Sequence, residues 1–305
     1  MKTILSISTD PYFNLAWEEY ILKNIYKDED IFLLWQNDTS IIVGRNQNVF
    51  EEVNLDFVVK NHIPLVRRIS GGGTVFHDLG NLNYSYITSA KGKINNYKLM
   101  TEDLIKALNE LGIDARFEGK SDIKINGKKI SGNAQSVIGD RLLHHGTLLF
   151  NSNLEKLNGV IKQKDTSIES ISVKSNRSTV TNLSEYTNMS IEEIKDYILK
   201  RLVPSDQVHT LSDKDIKRIE DLKQERYLTY QWNYGESPKS TIDKNLGDYR
   251  VKASIAYGTI EDIIVIHQGT LALNISSSLV GLKCYPTELN QLLKKHPEIY
   301  QILFE

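Results

Sequence analysis

The sequence has a single cysteine and no excess of charge of either sign. Cys284 cannot form an internal disulfide, so the sequence predicts a protein of a reducing compartment, the cytoplasm. The 37 basic and 39 acidic residues give a net charge of −2, which argues against nucleic acid or a membrane surface as a partner. The sequence also lacks an apolar run long enough for a membrane span, and its first residues lack the apolar core of a signal peptide.

The chain does have enough material for a large domain with a small appendage. Its 305 residues are 40% hydrophobic and 25% charged, as in ordinary globular proteins. Glycine, proline and serine are enriched at residues 235–247, where we predict a linker. We therefore expect one domain over residues 1–240 and a small α+β domain over residues 247–305.

Local patterns predict several helices and strands. Residues 14–23 and 191–202 have helical spacing of apolar residues. The apolar runs at 31–35 and 40–43, split by Asn37 and Asp38, are expected to pair as antiparallel strands. Residues 287–304 are expected to form one terminal amphipathic helix.

Three consecutive glycines, Gly71 to Gly73, follow a predicted strand and two arginines. Such a run costs backbone entropy, but it lets the chain approach a ligand closely and aim N–H groups at an anion. The run is neither a Walker loop nor a dinucleotide fingerprint, because no Gly-Lys-Ser/Thr follows it and Phe76 replaces the last glycine. A glycine-rich turn without a ligand is the alternative interpretation.

A hairpin is predicted over residues 122–131, because Asn126-Gly127 suits a two-residue type I′ turn. The expected register pairs Lys124 with Lys129, and alternation places four polar side chains on one face. These are Asp122, Lys124, Lys129 and Ser131. Two facing lysines repel each other, so a bound anion would stabilise the hairpin. A solvated sheet face without a ligand remains the alternative.

Other residues carry weaker signals. Residues 162–182 are rich in serine, threonine, asparagine and lysine, which indicates a long mobile loop that is either functional or a plain connection. Neighbouring His144 and His145 point to opposite faces of a strand and are poor joint ligands for a metal. Cys284 has no companion motif and is interpreted as a buried apolar residue.

Six segments in one order carry a resemblance that no single motif would establish. They are 67–81 (RRISGGGTVFHDLGN), 121–123 (SDI), 129–134 (KISGNA), 144–149 (HHGTLL), 180–183 (VTNL) and 232–235 (WNYG). Together they resemble the lipoate–protein ligase A family of the biotin/lipoate ligase superfamily. The resemblance implies an α+β fold with a mixed β-sheet flanked by helices and a small C-terminal domain.

The resemblance also implies a reaction in two steps. ATP adenylates lipoate, and a lysine of an apo lipoyl domain of a 2-oxoacid dehydrogenase complex, or of glycine-cleavage H protein, then displaces AMP. ATP and Mg²⁺ act as substrate and activator, without a tightly bound prosthetic group. No protein nucleophile is needed, because fixed cations and backbone donors stabilise the developing charge.

By position, the resemblance assigns roles to eleven residues. Lys129 and Asp122 are catalytic, and Asp122 also holds Mg²⁺, although Ser121 stands where many relatives have asparagine. Residues 162–182 resemble the loop that closes over the adenylate. The ATP-binding set is Arg68, Gly73, Thr74, Val75, Phe76 and Lys129, and the lipoate-binding set is Ser70, Gly71, Gly72, Lys129 and His145.

Two other functions stay open at this point. A lipoyl or octanoyl transferase of the same superfamily would work through a cysteine thioester, but Cys284 lies outside every matching segment. A non-catalytic lipoate-binding homologue would have no need of Lys129 and Asp122. A biotin ligase is disfavoured, because its arginine- and glycine-rich signature is absent.

Overall fold

The computed structural model describes residues 1–162, 167–175, 178–203 and 208–305, with residues 157 and 158 described by backbone alone. The helices are α1 (Pro11–Asn24), α2 (Val49–Glu52), α3 (Leu55–Lys60), α4 (Tyr97–Glu110), α5 (Leu154–Val160), α6 (Ile191–Leu202), α7 (Asp213–Leu222), α8 (Leu273–Leu279), α9 (Pro286–Leu289) and α10 (Pro297–Phe304). Short 3₁₀ or π-helical turns lie at Leu183–Glu185, Lys223–Tyr227 and Gln231–Gly235.

The strands of the described residues fall into three sheets. They are β1 (Lys2–Leu5), β2 (Ile31–Trp35), β3 (Ser40–Val43), β4 (Leu65–Arg67), β5 (Val75–His77), β6 (Asn81–Ser89), β7 (Arg116–Glu118), β8 (Asp122–Ile125), β9 (Lys128–Ile138), β10 (Arg141–Leu149), β11 (Ile168–Ser170), β12 (Val208–His209), β13 (Ser240–Leu246), β14 (Tyr249–Ala256), β15 (Thr259–His267) and β16 (Thr270–Leu271).

The main sheet has eight strands in the order β12-β1-β2-β6-β10-β9-β8-β7. It is parallel across β12, β1 and β2 and antiparallel from β2 onward. Alternation in β2 explains how helices cover both faces: Leu33 packs in the core that holds Trp17 of α1, and Phe32 packs in the core of α4 and α6. The predicted α+β fold with a mixed sheet is confirmed.

Helix α1 begins where the sequence signals its start. The Asp10 carboxylate accepts a hydrogen bond from the N–H of Tyr12 at 2.9 Å, and Pro11 occupies the first turn, where its missing N–H costs nothing. The helix presents Trp17 and Ile21 to the sheet, both nearly fully buried. It also buries Glu18 among apolar residues, at 1% exposure, so this carboxylate needs partners within the protein.

One expected strand pair is wrong. Strand β3 does not pair with β2 but lies in a separate three-stranded sheet, parallel to β4 and antiparallel to β5. The reason is long-range: β2 is fully buried between β1 and β6, so both of its edges are already paired. The three-stranded sheet leads directly into the glycine run, which follows β4.

The C-terminal part differs from expectation at two places. The expected linker at 235–247 contains strand β13, which pairs with both β11 and β14. The expected helix over 287–304 is wrong: α9 ends at Leu289, and Pro297 begins a separate helix, α10, at a position where its missing N–H costs nothing. A division of the chain near residue 240 stays a prediction. The C-terminal sheet shares one buried core with β3, α2 and α3.

Within the described ranges, every helix is too short or too polar to cross a lipid bilayer.

Candidate active site

A cleft of about 940 Å³ opens between the glycine run, the β8–β9 hairpin and β10. It brings together eight of the eleven predicted site residues: Arg68, Gly72, Gly73, Thr74, Val75, Asp122, Lys129 and His145. Ser70, Gly71 and Phe76 do not line it. The Phe76 side chain is instead buried in the core that includes β3, and its predicted part in ATP binding stays a prediction.

Arg68 organises the glycine run from within. Its guanidinium donates to the carbonyls of Gly71 and Gly73 at 2.6 and 2.7 Å, and to that of Ile42 at 3.1 Å. Gly72 between them has φ of +86°, a conformation that favours glycine. Arg68 is only 5% exposed, and burial lowers its pKa to about 10. A guanidinium with that pKa stays charged at neutral pH and fixes the shape of the run.

The neighbouring Arg67 does not face the cleft. Its guanidinium is fully buried and donates to backbone carbonyls on two separate segments, Gly44 to Gln47 and Trp232 to Asn233. It also donates to the Ser237 hydroxyl at 2.9 Å. Of the two arginines before the glycine run, one therefore joins distant parts of the chain and only Arg68 borders the site.

The predicted hairpin is present, with one difference in register. Asn126 and Gly127 both have positive φ, as a type I′ turn requires, and Lys124 pairs with Lys129. Beyond that pair a bulge shifts the register, so Ile123 lies opposite Ser131 rather than Ile130. As a consequence Ser131 is fully buried beside the Tyr84 hydroxyl, and its expected place on the polar face is wrong.

Lys129 and Asp122 meet at the cleft. Their Nζ and Oδ1 atoms are 2.9 Å apart, and both side chains are mostly buried, at 22% and 16% exposure. The lysine lies over Gly132, where an added Cβ would come within 2.7 Å of both Cε and Nζ. The absence of a side chain at Gly132 thus gives the Lys129 side chain its place, and Lys124, paired with Lys129, lines the same cleft.

A buried network of hydrogen-bonded side chains lies beneath the glycine run, and most of its members were not predicted from the sequence. His145 Nε2 lies 2.6 Å from the Ser70 hydroxyl, and its Nδ1 lies 2.9 Å from both carboxylate oxygens of Glu18. Glu18 also accepts from Ser85, which accepts from the indole N–H of Trp35. The signal available in the sequence was a glutamate inside an apolar helical stretch. This network holds the Ser70 hydroxyl in place. The same hydroxyl accepts a hydrogen bond from Arg68 Nε at 3.0 Å, so the network also helps to position Arg68.

Two further histidines lie near the site and are neutral. Burial, together with the nearby Arg68 and His145, lowers the pKa of His77 to about 3. Burial, with a smaller effect of His145, lowers the pKa of His144 to about 3. No group of three or more His, Cys, Asp or Glu residues suited to a metal ion occurs among the residues that the structure describes.

The segment expected to be a mobile loop, 162–182, lies partly outside the described residues, at 163–166 and 176–177. Several of its described residues contact the site. Ile168–Ser170 forms strand β11, and the backbone of Lys129 exchanges hydrogen bonds with Thr179 and Thr181. Ser175 lies on the glycine run, where its hydroxyl accepts from the N–H of Thr74 at 3.0 Å. The Thr74 hydroxyl in turn donates to Gln47, so both donors of Thr74 have partners within the protein.

Comparison with known proteins decides the family. Residues 10–203 match the lipoyl protein ligase A/B catalytic domain. Lipoate–protein ligase 1 of Staphylococcus aureus is 42% identical over 262 residues, which cover 83% of this chain and 80% of that protein. This chain belongs to the lipoyl protein ligase A/B family.

Solved structures of the ligase family share its fold. A bipartite lipoate protein ligase of Thermoplasma acidophilum, studied with its E2 lipoyl domain, is 29% identical with a TM-score of 0.68 over 81% of this chain and 98% of that chain. A lipoate-protein ligase A bound with ATP is also 29% identical, with a TM-score of 0.67 over 77% of this chain and 100% of that chain. The structure therefore has the fold of these ligases, as the resemblance implied.

Proposed function

We propose that the protein uses ATP to convert lipoate to lipoyl-AMP and then transfers the lipoyl group to a lysine of an acceptor protein. The observation that carries this proposal is the cleft itself, in which Lys129 and Asp122 face a glycine run shaped by Arg68. The family relationship supports the same activity. The lone cysteine supports a cytoplasmic location.

The first step needs fixed positive charge where two anions meet. A carboxylate oxygen of lipoate attacks the α-phosphorus of ATP, and the bond to pyrophosphate breaks. Charge develops on the α-phosphate oxygens, where a preorganised cation and N–H groups stabilise it in a partly closed site. Lys129 supplies the cation. Arg68 and the backbone of Gly73 and Val75 border the nucleotide, and Thr74 contributes by holding Ser175. Phe76 does not line the cleft, so its part is to anchor the end of the run in the core.

The acyl chain needs an apolar place beside this charge. Leu15, Trp35 and Ile42 line the cleft and are each less than 5% exposed. They suit the hydrocarbon part of lipoate, because apolar surface buried there is removed from water. Gly72 and His145 line the same cleft. Ser70 and Gly71 do not line it and act through their hydrogen bonds with His145 and Arg68.

Mg²⁺ fits the site only as a companion of the nucleotide. Among the described residues, Asp122 is the single carboxylate that lines the cleft, and Mg²⁺ usually takes one or two carboxylates together with phosphate oxygens and water. When bound, the ion offsets phosphate charge. Asp122 now pairs with Lys129, so a metal that takes this carboxylate leaves the ammonium available to the substrates.

The acceptor that we propose is an apo lipoyl domain of a 2-oxoacid dehydrogenase complex or the glycine-cleavage H protein. The Thermoplasma ligase was studied with an E2 lipoyl domain, and its fold matches this chain. In the second step the uncharged lysine amine attacks the carbonyl carbon of the mixed anhydride, AMP leaves, and the amine loses a proton.

A transferase acting through a cysteine thioester is disfavoured. Cys284 is fully buried, it does not line the cleft, and burial raises its pKa to about 12. A thiol with that pKa is almost wholly protonated at neutral pH and is a poor nucleophile. A non-catalytic homologue is disfavoured by the intact pair of Lys129 and Asp122.

The direct test is to incubate the protein with lipoate, ATP, Mg²⁺ and an apo lipoyl domain and to weigh the acceptor by mass spectrometry. We expect one lipoyl group on one lysine of the acceptor, and no adduct when ATP is omitted. An adduct that forms from a lipoylated carrier protein without ATP would favour the transferase. Tight lipoate binding without any adduct would favour the non-catalytic homologue.

A further inference from the structure

Residues 170–175, which we call the strap, cross from the C-terminal sheet to the cleft. Ser170 ends strand β11, which pairs with β13. Val173, Lys174 and Ser175, at the other end, line the cleft, and the N–H of Val173 donates to the carbonyl of Asn46. The strap has little apolar anchoring, since Ile171 is 94% exposed. Its position must therefore depend on polar contacts.

Two adjacent carboxylates supply those contacts. We call Glu51 and Glu52, at the end of α2, the clasp. Glu51 accepts from the hydroxyls of Ser170 and Ser172 at 2.5 and 2.7 Å, and its other oxygen lies 3.1 Å from Lys174 Nζ. The Glu51 side chain is 6% exposed and Glu52 is 7% exposed. Buried carboxylates require such donors, so the clasp and the strap stabilise each other.

Ser175 joins the clasp to the glycine run. Its N–H donates to Glu52 Oε1 at 3.0 Å and its hydroxyl donates to Glu52 Oε2. The same hydroxyl accepts from the N–H of Thr74 and from Gln47 Nε2, each at 3.0 Å. One donor and two acceptor sites are the full capacity of a hydroxyl. The Ser175 hydroxyl thus makes all of its possible hydrogen bonds, and it links Glu52 to the glycine run that borders the nucleotide.

The strap also lies in close contact with the glycine run. An added Cβ on Gly73 would meet the Ser175 hydroxyl oxygen at 3.0 Å and its Cα at 3.3 Å. Gln47, which donates to Ser175, accepts from the Thr74 hydroxyl and from the N–H of Gly44. The contacts of one strap residue are therefore linked to both loops that form this wall of the cleft.

We propose that the clasp, acting through Ser175, is a positioning device that retains the acyl-adenylate between the two half-reactions. This inference rests on the proposed function. Lipoyl-AMP is a mixed anhydride that water hydrolyses, so a cover over the cleft protects it until the acceptor arrives. Glu52 and Ser175 do not contact the reacting atoms in this account. They hold the segment that does the covering.

The variants Ser175→Ala and Glu52→Gln test the clasp. Alanine removes the hydroxyl. Glutamine turns one acceptor of Ser175 into a donor, although the hydroxyl already accepts from Thr74 and Gln47. Ser254→Ala and Glu261→Gln are matched controls, because they break an exposed serine–glutamate hydrogen bond of 3.2 Å on the C-terminal sheet, away from the cleft.

The measurement is the dissociation rate of supplied lipoyl-AMP, followed by rapid gel filtration without acceptor. Each of the two variants loses one or two hydrogen bonds to a charged group. We therefore expect lipoyl-AMP to dissociate about tenfold faster from Ser175→Ala and from Glu52→Gln, and at an unchanged rate from the controls. In the transfer reaction, with supplied lipoyl-AMP and a saturating apo lipoyl domain, the KM for lipoyl-AMP should rise about tenfold in both variants. The kcat should stay within about twofold. Thermal unfolding checks that both variants fold.

Each outcome decides the proposal. Unchanged dissociation in the clasp variants overturns it, and so does a fall in kcat with unchanged KM, which would place Glu52 or Ser175 in the chemistry. Because lipoyl-AMP is supplied, the result does not depend on its synthesis. If the protein retains lipoyl-AMP through the clasp but cannot make it from lipoate and ATP, the proposed first step fails and the clasp stands. If the unaltered protein does not bind lipoyl-AMP, both fail.

Discussion

The glycine run and the strap border the same cleft, but they are held in different ways. The run is fixed from below by Arg68, a side chain that is 5% exposed and bonds to the carbonyls of Gly71 and Gly73. The strap is fixed from the side by the clasp and carries Ile171, which is almost fully exposed. One is built into the folded core, and the other is attached to it by polar contacts.

The difference separates stability from function. A change of the Arg68 side chain, which is 5% exposed, leaves three carbonyls without this donor, so it should cost folding free energy as well as activity. A change of the Ser175 side chain leaves the N–H of Ser175 donating to Glu52 Oε1, so it should alter ligand retention with a smaller effect on folding. The predictions below test that separation, starting with the largest expected effect.

Arg68→Ala should break the run. It leaves the carbonyls of Ile42, Gly71 and Gly73 without their donor, and we expect the free energy of unfolding to fall by about 3 kcal/mol, with loss of lipoyl-AMP formation. Ser175→Ala should lower the free energy of unfolding by less than about 1 kcal/mol. Urea unfolding measures both. Equal losses in the two variants would contradict the distinction between run and strap.

Acidic pH should lower the free energy of unfolding, because His77, buried near Arg68, is neutral in the folded protein. The folded pKa of His77 is about 3, below its unfolded value of about 6.5, so the unfolded chain takes up a proton that the folded chain refuses. Stability is therefore full above about pH 6.5 and is lost as pH falls toward 3. At pH 5.5 we expect a loss of about 1.4 kcal/mol from this residue relative to pH 7.5.

The check is urea unfolding at both pH values for the unaltered protein and for His77→Gln. The variant should show a smaller loss between the two pH values, by about 1.4 kcal/mol, whatever its stability at pH 7.5. His144, which also has a pKa of about 3, remains in both proteins and cancels. An identical pH dependence in the two proteins would show that His77 does not titrate as the structure implies.

Local features were predictable from the sequence because their causes are local. The turn at Asn126-Gly127, the helix α6 and the pairing of Lys124 with Lys129 follow from backbone preferences and periodicity. The resemblance then brought together segments that no local pattern could connect. In this way the sequence indicated eight of the residues that line the cleft.

What the sequence could not predict depends on long-range contacts. The bulge that turns Ser131 into the core is a property of two paired strands, and the separation of β2 from β3 depends on strands β1 and β6. The partners of Glu18 and of the clasp lie tens of residues or more away in the sequence. A buried carboxylate can be suspected from an apolar surrounding sequence, but its partner cannot.

The most direct test concerns Lys129, the cation that faces the glycine run. Lipoyl-AMP formed from lipoate, ATP and Mg²⁺ should be measured for the unaltered protein, for Lys129→Ala and for Lys128→Ala, an exposed neighbour on the same hairpin. We expect Lys129→Ala to lower the rate by about 100-fold or more with the fold intact, and Lys128→Ala to leave it unchanged. Formation of lipoyl-AMP at an undiminished rate by Lys129→Ala would contradict the account.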